Sequence, residues 1–244
     1  MGRTMEWAAS AEHLGGFPRR MVFTAVGTFA KLVASLFNSS CVHNADTLIR
    51  LVRSRPPGVP LITVSNHMST LDDPLMWGFK GFPTFDANLG RWVLAAEDIC
   101  FRNAFYSYIC RLGKCIPITR GGGIYQEHMN EALERLNHGD WLHTFPEGKV
   151  VQDDAPIRRL KWGTASLIVR ASLSPIVLPI VHHGFQKMAI SQTRKEPFHL
   201  NGWPCTSPDG LDEAAQRCLY TTISEQIRTS VERLRIFRKS ILRL

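Results

Sequence analysis

The chain has 244 residues, 44% hydrophobic and 20% charged, which excludes wholesale disorder and a polytopic membrane protein and leaves room for one ordinary domain with or without a membrane-attachment segment. Its 29 lysines and arginines against 21 acids give a net charge of +8, so its surface is drawn to polyanions, either nucleic acid or anionic lipid. Six cysteines (Cys41, Cys100, Cys110, Cys115, Cys205, Cys218) form no CxxC and no zinc-type spacing and read as free thiols in a reducing compartment.

Residues 1–19 are mixed in character and show no cleavable secretory signal. The first apolar run, Met21 to Phe37, would be a helix about 26 Å long, marginal against a hydrocarbon core of ~30 Å. Arg19 and Arg20 precede it and Lys31 interrupts it. Three readings are open: a single span, a helix lying in the membrane interface, or a buried amphipathic helix of the domain. Asn44–Arg53 has helical spacing and ends at Arg55-Pro-Pro-Gly58. The run from Pro60 to Asn66 is short, apolar and β-branched, and reads as a buried strand. Asp73-Pro74 reads as a helix cap followed by proline at the first helical position.

Beyond it, Trp92–Ala96 predicts a strand, Ile99–Arg111 an aromatic-rich helix and Cys115–Thr119 another strand. Gly121–Gly123 form a corner. Ile124–Asn137 is an amphipathic helix stopped by Gly139. Trp141–Phe145 is a strand, Lys161–Ser172 a helix, and Pro175–Val181 the final strand. Strands alternating with helices at this spacing predict an α/β domain: a mostly parallel, buried central sheet flanked by helices. From Gln186 to Pro208 the sequence is polar and strand-poor. Helical periodicity returns from Leu211 through Ile223, Ile227, Val231 and Leu234. This helix becomes basic at Arg228, Arg233, Arg235, Arg238, Lys239 and Arg243, as a helix packed on the domain or as a second membrane-surface contact.

The chemistry concentrates at three predicted strand ends. In Ser65–Pro74, His67 follows a buried strand and Asp72 lies five positions later. Reacting groups in α/β sheets sit where a strand opens into a turn. A neutral imidazole takes a proton from a hydroxyl near neutral pH, provided a fixed acceptor holds its other nitrogen. A turn of this length can return the Asp72 carboxylate to the ring. The pair then has the logic of a serine-hydrolase triad without a protein nucleophile. In Thr144–Lys149, Glu147-Gly148-Lys149 places an anion and a cation at a turn. Arg120 ends a third strand and leads into glycines whose N–H groups can join it around a phosphate. It lacks the lysine and Ser/Thr of a P-loop. His67, Asp72 and Asp73 have no further clustered ligand, and no metal is expected. Among the other histidines (His13, His43, His128, His138, His143, His182, His183, His199) only His143, on the strand leading into Phe145, is a secondary candidate.

These residues resemble the motifs of the glycerophospholipid acyltransferase superfamily. His67-Met-Ser-Thr-Leu-Asp72 matches its H-x4-D motif, and Phe145-Pro146-Glu147-Gly148 its substrate-binding block. The Ile118–Arg120 strand end and the Pro175–Ile180 strand match its second and fourth blocks in order. The whole stretch from Val22 to Phe185 is similar to the tafazzin group of that superfamily. The resemblance implies a glycerolipid-acyltransferase-like fold with an N-terminal membrane-interface helix. It divides the chain into a membrane-interacting segment (1–40), an acyltransferase domain (41–185), a divergent linker (186–210) and a basic amphipathic helix (211–244).

It further implies transfer of acyl chains between phospholipids and lysophospholipids at a mitochondrial membrane, as in cardiolipin remodelling, with no cofactor and no acyl-CoA. His67 and Asp72 are the expected catalytic pair. Arg120, Phe145, Pro146, Glu147 and Gly148 are the expected substrate-binding set. The expected partners are the two lipids and an anionic membrane surface. Nucleic acid is set aside because the basic residues come with no aromatic platform and no zinc module. Two alternatives stand: an acyl-CoA-dependent lysophospholipid acyltransferase, and a catalytically silent membrane-binding form. The likeness lapses after Val181-His182-His183-Gly184-Phe185 and returns at Pro208–Tyr220, so a piece of the fold is expected to be missing or altered between them.

Overall fold

The buried, β-branched runs pair into one sheet because each needs both faces covered. The computed structural model describes residues 4–36, 41–152, 155–183, 187–190 and 212–241. In chain order its elements are α1 (Phe17–Leu36), β1 (Cys41–His43), α2 (Ala45–Ser54), β2 (Leu61–Ser65), α3 (Asp72–Met76) and β3 (Trp92–Ala96). There follow α4 (Glu97–Cys100), α5 (Ala104–Leu112), β4 (Cys115–Ile118), α6 (Glu127–Asn137) and β5 (Trp141–Thr144). The last are α7 (Gly163–Arg170), β6 (Ile176–His183), β7 (Lys187–Ile190) and α8 (Glu213–Ile241). The strands lie in the order β1-β7-β6-β2-β5-β3-β4. Every pairing is parallel except β6 with β7.

Alternation along the strands fills two cores. Ile62, Leu142 and Val177 point to one face and meet Ala132 and Leu136 of α6, Leu167 of α7, and Ile223, Ile227 and Val231 of α8. Leu61, Trp141 and Ile176 point to the other and meet Leu48 and Val52 of α2 together with Trp77, Phe79 and Phe82. The predicted α/β class and the mostly parallel sheet flanked by helices are therefore present.

Several local expectations change. No described helix is long and apolar enough to cross a membrane, so the single-span reading of Met21–Phe37 fails; Phe37 itself lies outside the described residues. α1 instead buries Phe23, Gly27 and Ala30. It approaches Gly78 so closely that a β-carbon there would lie 2.3 Å from the Ala30 carbonyl oxygen. Lys31, which interrupts the apolar run, donates from Nζ to the carbonyls of Phe79 and Phe82 at 2.8 and 3.2 Å. The opposite side of α1 leaves Phe17, Met21, Phe29, Leu32 and Leu36 exposed.

The aromatic helix splits at Phe101–Asn103, where Asn103 caps α5 by accepting from Tyr106 N–H at 3.0 Å. β7 adds a strand within the stretch that the sequence pattern marks as strand-poor; the rest of that stretch, 186 and 191–208, lies outside the described residues. α8 packs on the domain through Tyr220, Ile223, Ile227 and Val231. Several of its cations are turned inward or matched: Arg238 is buried, Arg228 pairs with Glu225, and Arg235 with Glu232.

Candidate active site

The parallel strands β2, β5, β3 and β4 all end on one edge of the sheet, and their carboxyl ends deliver the candidate groups. β2 stops at Ser65, and the following turn folds back on the side chain of Asp72, the first residue of α3. Asp72 Oδ2 accepts from His67 Nδ1 at 3.0 Å, from Met68 N at 2.6 Å and from Ser69 N at 2.8 Å. The spacing of five exists because those two amides must wrap the carboxylate while the ring reaches it. A carboxylate only accepts, so Nδ1 carries the ring proton and Nε2 presents a lone pair. The Asp72 side chain is fully buried and that of His67 is 19% exposed. Burial pushes the Asp72 carboxyl up. The His67 hydrogen bond, the nearby His182 and the Ser69 and Met68 amides outweigh it and hold the group below its ordinary value.

His67 stacks on Phe145, ring centroids 4.1 Å apart. Phe145 in turn lies edge-on to His143 at 4.6 Å. Trp141, His143 and Phe145 alternate onto one face of β5 and its extension, so the Phe145 of the FPEG block is the platform under the candidate base. His143 is fully buried beneath it. Its Nδ1 lies 2.7 Å from Thr63 Oγ1, which accepts from Trp141 Nε1 at 2.9 Å. Ser65 Oγ donates to Asn66 O at 3.0 Å, so at 3.3 Å it accepts from His143 Nε2; the neutral ring carries its hydrogen there and Nδ1 accepts from the Thr63 hydroxyl. Burial pushes this imidazole down to about 3, so it stays uncharged and belongs to the core rather than to proton transfer.

Gly148 needs its lack of a side chain: its φ is +66°, and a β-carbon would lie 2.8 Å from Lys161 Cδ and Cε. Pro146 O accepts from Lys161 N at 2.8 Å, and Phe145 O from Gly148 N at 3.0 Å. Glu147 differs from expectation. Among the described residues it stands behind the large cavity rather than on its wall, beside Asn66 and Met68. Burial raises its carboxyl pKa despite the facing amides of His67 and Arg158. It supports the turn from the rear.

The cavity in front of His67 has a volume of about 1030 Å3, the size of a drug- or lipid-scale site. Val22, Phe23 and Val26 of α1, Ile99, Ile109 and Tyr220 give it apolar walls. Arg120, Lys149, Arg159 and Lys161 supply cations. Arg120 reaches this cavity as expected, but it is half exposed and pairs with Asp98 at 3.4 Å. Asp73 is not a helix cap. Its carboxylate forms a partly buried ion pair with Arg91, whose Nε lies 2.8 Å from Oδ1, and it also accepts from Trp77 Nε1 at 3.3 Å. Among the described residues no group of three or more metal-ligating side chains is present.

The structure thus brings His67, Asp72, Phe145, Pro146, Gly148 and Arg120 to one sheet edge and sets Glu147 behind it. Sequence reasoning passed over His182, which packs against Asp72. His182 follows six apolar residues on β6, a position where a fully buried imidazole needs a polar partner, and that was the available signal.

A paired imidazole and carboxylate stand at the mouth of an apolar cavity, and the chain belongs to the acyltransferase family, whose model matches residues 40–183. It is 57% identical over 284 residues to an N-acylphosphatidylethanolamine synthase of Arabidopsis thaliana, covering 99% of this chain and all of that one. It is 43% identical over 170 residues to the tafazzin of Drosophila melanogaster, covering 69% of this chain and 45% of that protein; the chain thus spans less than half the length of that relative. Among solved structures, the 1-acyl-sn-glycerophosphate (LPA) acyltransferase from Thermotoga maritima matches with a TM-score of 0.50 and 20% identity, over 85% of this chain and 79% of that one, a likeness of fold. The chain is an acyltransferase by family.

Proposed function

We propose that the protein moves an acyl chain from a phospholipid ester to a lysophospholipid, with His67 as the base. The observation that carries this reading is the 3.0 Å contact of His67 Nδ1 with Asp72 Oδ2, which leaves Nε2 on the side of the cavity that His67 lines. The acceptor hydroxyl gives its proton to Nε2 as its oxygen attacks the donor carbonyl. Asp72 stabilises the imidazolium, which then protonates the departing lysolipid oxygen. One ester C–O bond forms and one breaks, so the exchange is near thermoneutral and needs no ATP. Positioning and proton transfer are the protein's contribution, the latter worth about 10²–10⁴-fold. Arg120, with Lys149 and Lys161 beside Pro146 and Gly148, orients the phosphate; Phe145 holds the imidazole. Residues 1–40 seat the domain on an anionic membrane, the exposed apolar side of α1 supporting this. The tafazzin resemblance extends the proposal to the mitochondrial membrane.

A second reading has its own support. The relative at 57% identity is an N-acylphosphatidylethanolamine synthase, and the same base can take a proton from an ethanolamine nitrogen and form an amide instead of an ester. One experiment separates these readings. Defined phosphatidylcholine donor is supplied with lysophosphatidylcholine or phosphatidylethanolamine, with and without CoA or acyl-CoA, and products are tested for resistance to mild alkali. CoA-independent, alkali-labile product supports transacylation. Alkali-stable product assigns N-acylation. A strict need for acyl-CoA moves the donor to the thioester. His67→Ala is expected to abolish transfer and retain vesicle binding; native rates in that variant would falsify the base assignment.

A further inference from the structure

We infer that His182 is a positioning residue that holds the His67–Asp72 pair from behind. The inference rests on the reading of His67 as the base and extends it to a second imidazole. Three elements converge here. β6 runs beside β2 in parallel register, Ser65 opposite Ile180, which carries His182 alongside the turn that follows β2. Asn66 clamps the two segments: its Nδ2 donates to His182 O at 2.9 Å and its Oδ1 accepts from His182 N at 2.9 Å. The ring closes the arrangement, with Nε2 2.9 Å from Asn66 O and 3.6 Å from Asp72 Oδ2, the oxygen that holds His67.

The carbonyl of Asn66 only accepts, so His182 Nε2 carries a hydrogen. That hydrogen binds the residue immediately before His67 and faces the Asp72 carboxylate. The Asp72 carboxylate thus lies between two imidazoles, one open to the cavity and one 2% exposed. Losing the inner one would release the Asn66–His67 backbone and strip a partial positive charge from Asp72. Around His182 stand Asp72 on α3, His143 on β5, Glu147 after β5, its neighbour His183, and Arg235 and Arg238 of α8. His183, the next residue, is exposed on the other face of the strand, which makes it the internal control.

The test compares His182→Gln, which can keep a donor, with His182→Met, which fills similar space without one. His183→Gln serves as the control. Steady-state acyl transfer between defined lipids is measured from pH 5 to 9, with melting temperatures taken in parallel. His182→Met is expected to lose about 10- to 100-fold in kcat at unchanged KM. Its acid limb should move to higher pH, because a carboxylate relieved of one donor binds its remaining proton partner more tightly. His182→Gln should stay within about threefold of the native rate.

A native rate and profile in folded His182→Met overturns the proposal, as does an equal loss in both variants with no shift in pH profile. Should the methionine variant fail to fold, 15N spectra of the native imidazoles decide the point: an Nδ1–H tautomer at His182 refutes it. His67→Ala is assayed alongside. Activity surviving there sinks the base assignment itself, whereas a dead His67→Ala with a native His182→Met sinks only the positioning role.

Discussion

Replacing Asp72 with asparagine keeps the volume of the side chain and removes its charge. The carboxylate has two tasks, fixing the Nδ1–H tautomer of His67 and stabilising the imidazolium that forms when an acceptor gives up its proton. The second can be sized from the geometry. Unit charges centred 3.0 Å apart at an effective dielectric of about 20–40 attract by roughly 3–5 kcal/mol, the range reflecting the partial solvent access of His67. At 1.36 kcal/mol per decade this is about 10²–10⁴-fold in rate. Asp72→Asn should therefore lower kcat by that factor with little change in KM, because the imidazolium is absent from the ground-state complex. The assay is transfer of a labelled acyl chain from phosphatidylcholine to lysophosphatidylcholine in vesicles. Circular dichroism and a melting curve must show a folded protein, since Met68 and Ser69 amides lose a charged acceptor. A folded variant within threefold of the native kcat would refute the view of His67 and Asp72 as a coupled base.

Three further outcomes follow from the same architecture. His143 has its pKa pushed down to about 3 by burial, from an ordinary value of 6.5. Between those values the unfolded chain binds the extra proton, so stability is full above pH 6.5 and declines as pH falls; from pH 6.5 to 5 the loss should be about 2 kcal/mol, read from urea midpoints, and His143→Gln should flatten the slope. Gly148→Ala forces a left-handed backbone at a cost of about 1–2 kcal/mol and displaces the Lys161 side chain; the melting temperature should fall and KM for the phospholipid rise more than kcat changes. Arg91→Met leaves the partly buried Asp73 carboxylate on the cavity wall without its cation, costing about 1–3 kcal/mol in urea unfolding, and adding Asp73→Asn should recover much of it.

The parts of the fold that a sequence can show are those whose periodicity is local. The five strands from β2 to β6 were legible because each is a short apolar run bounded by turn residues, and α6 because its apolar positions recur at helical spacing. His67 and Asp72 were legible for a similar reason. Both partners lie within one turn, so a single closed loop determines their contact. β1 and β7 were not: each has at most four residues, and β7 takes its antiparallel place from the pairing with β6 and not from alternation of its own. Asp73 was misread because proline after an aspartate signals a helix start whichever residue caps it. Its ion pair is made with Arg91, 18 positions away, and nothing local announces that.

What the sequence could not supply was neighbourhood across the sheet. Motif reading treats the residue blocks as a list along the chain, whereas the strand order β6-β2-β5-β3-β4 decides which blocks touch. Because β5 lies beside β2, Phe145 stacks under His67 and Glu147 faces the rear of the His67 turn rather than the lipid cavity. Because β6 lies on the other side of β2, His182 meets Asn66 and Asp72, whereas β4, separated from β2 by two strands, leaves Arg120 at the far side of the cavity beside Asp98. The division of labour follows. Phe145 and His182, from the strands flanking β2, hold the base, and Arg120, beyond them, can meet only the substrate. Substitutions at Phe145 and His182, which touch the His67–Asp72 pair, should therefore act on kcat, and those at Arg120 on KM, and an Arg120→Gln variant that lowers kcat at unchanged KM would contradict that division.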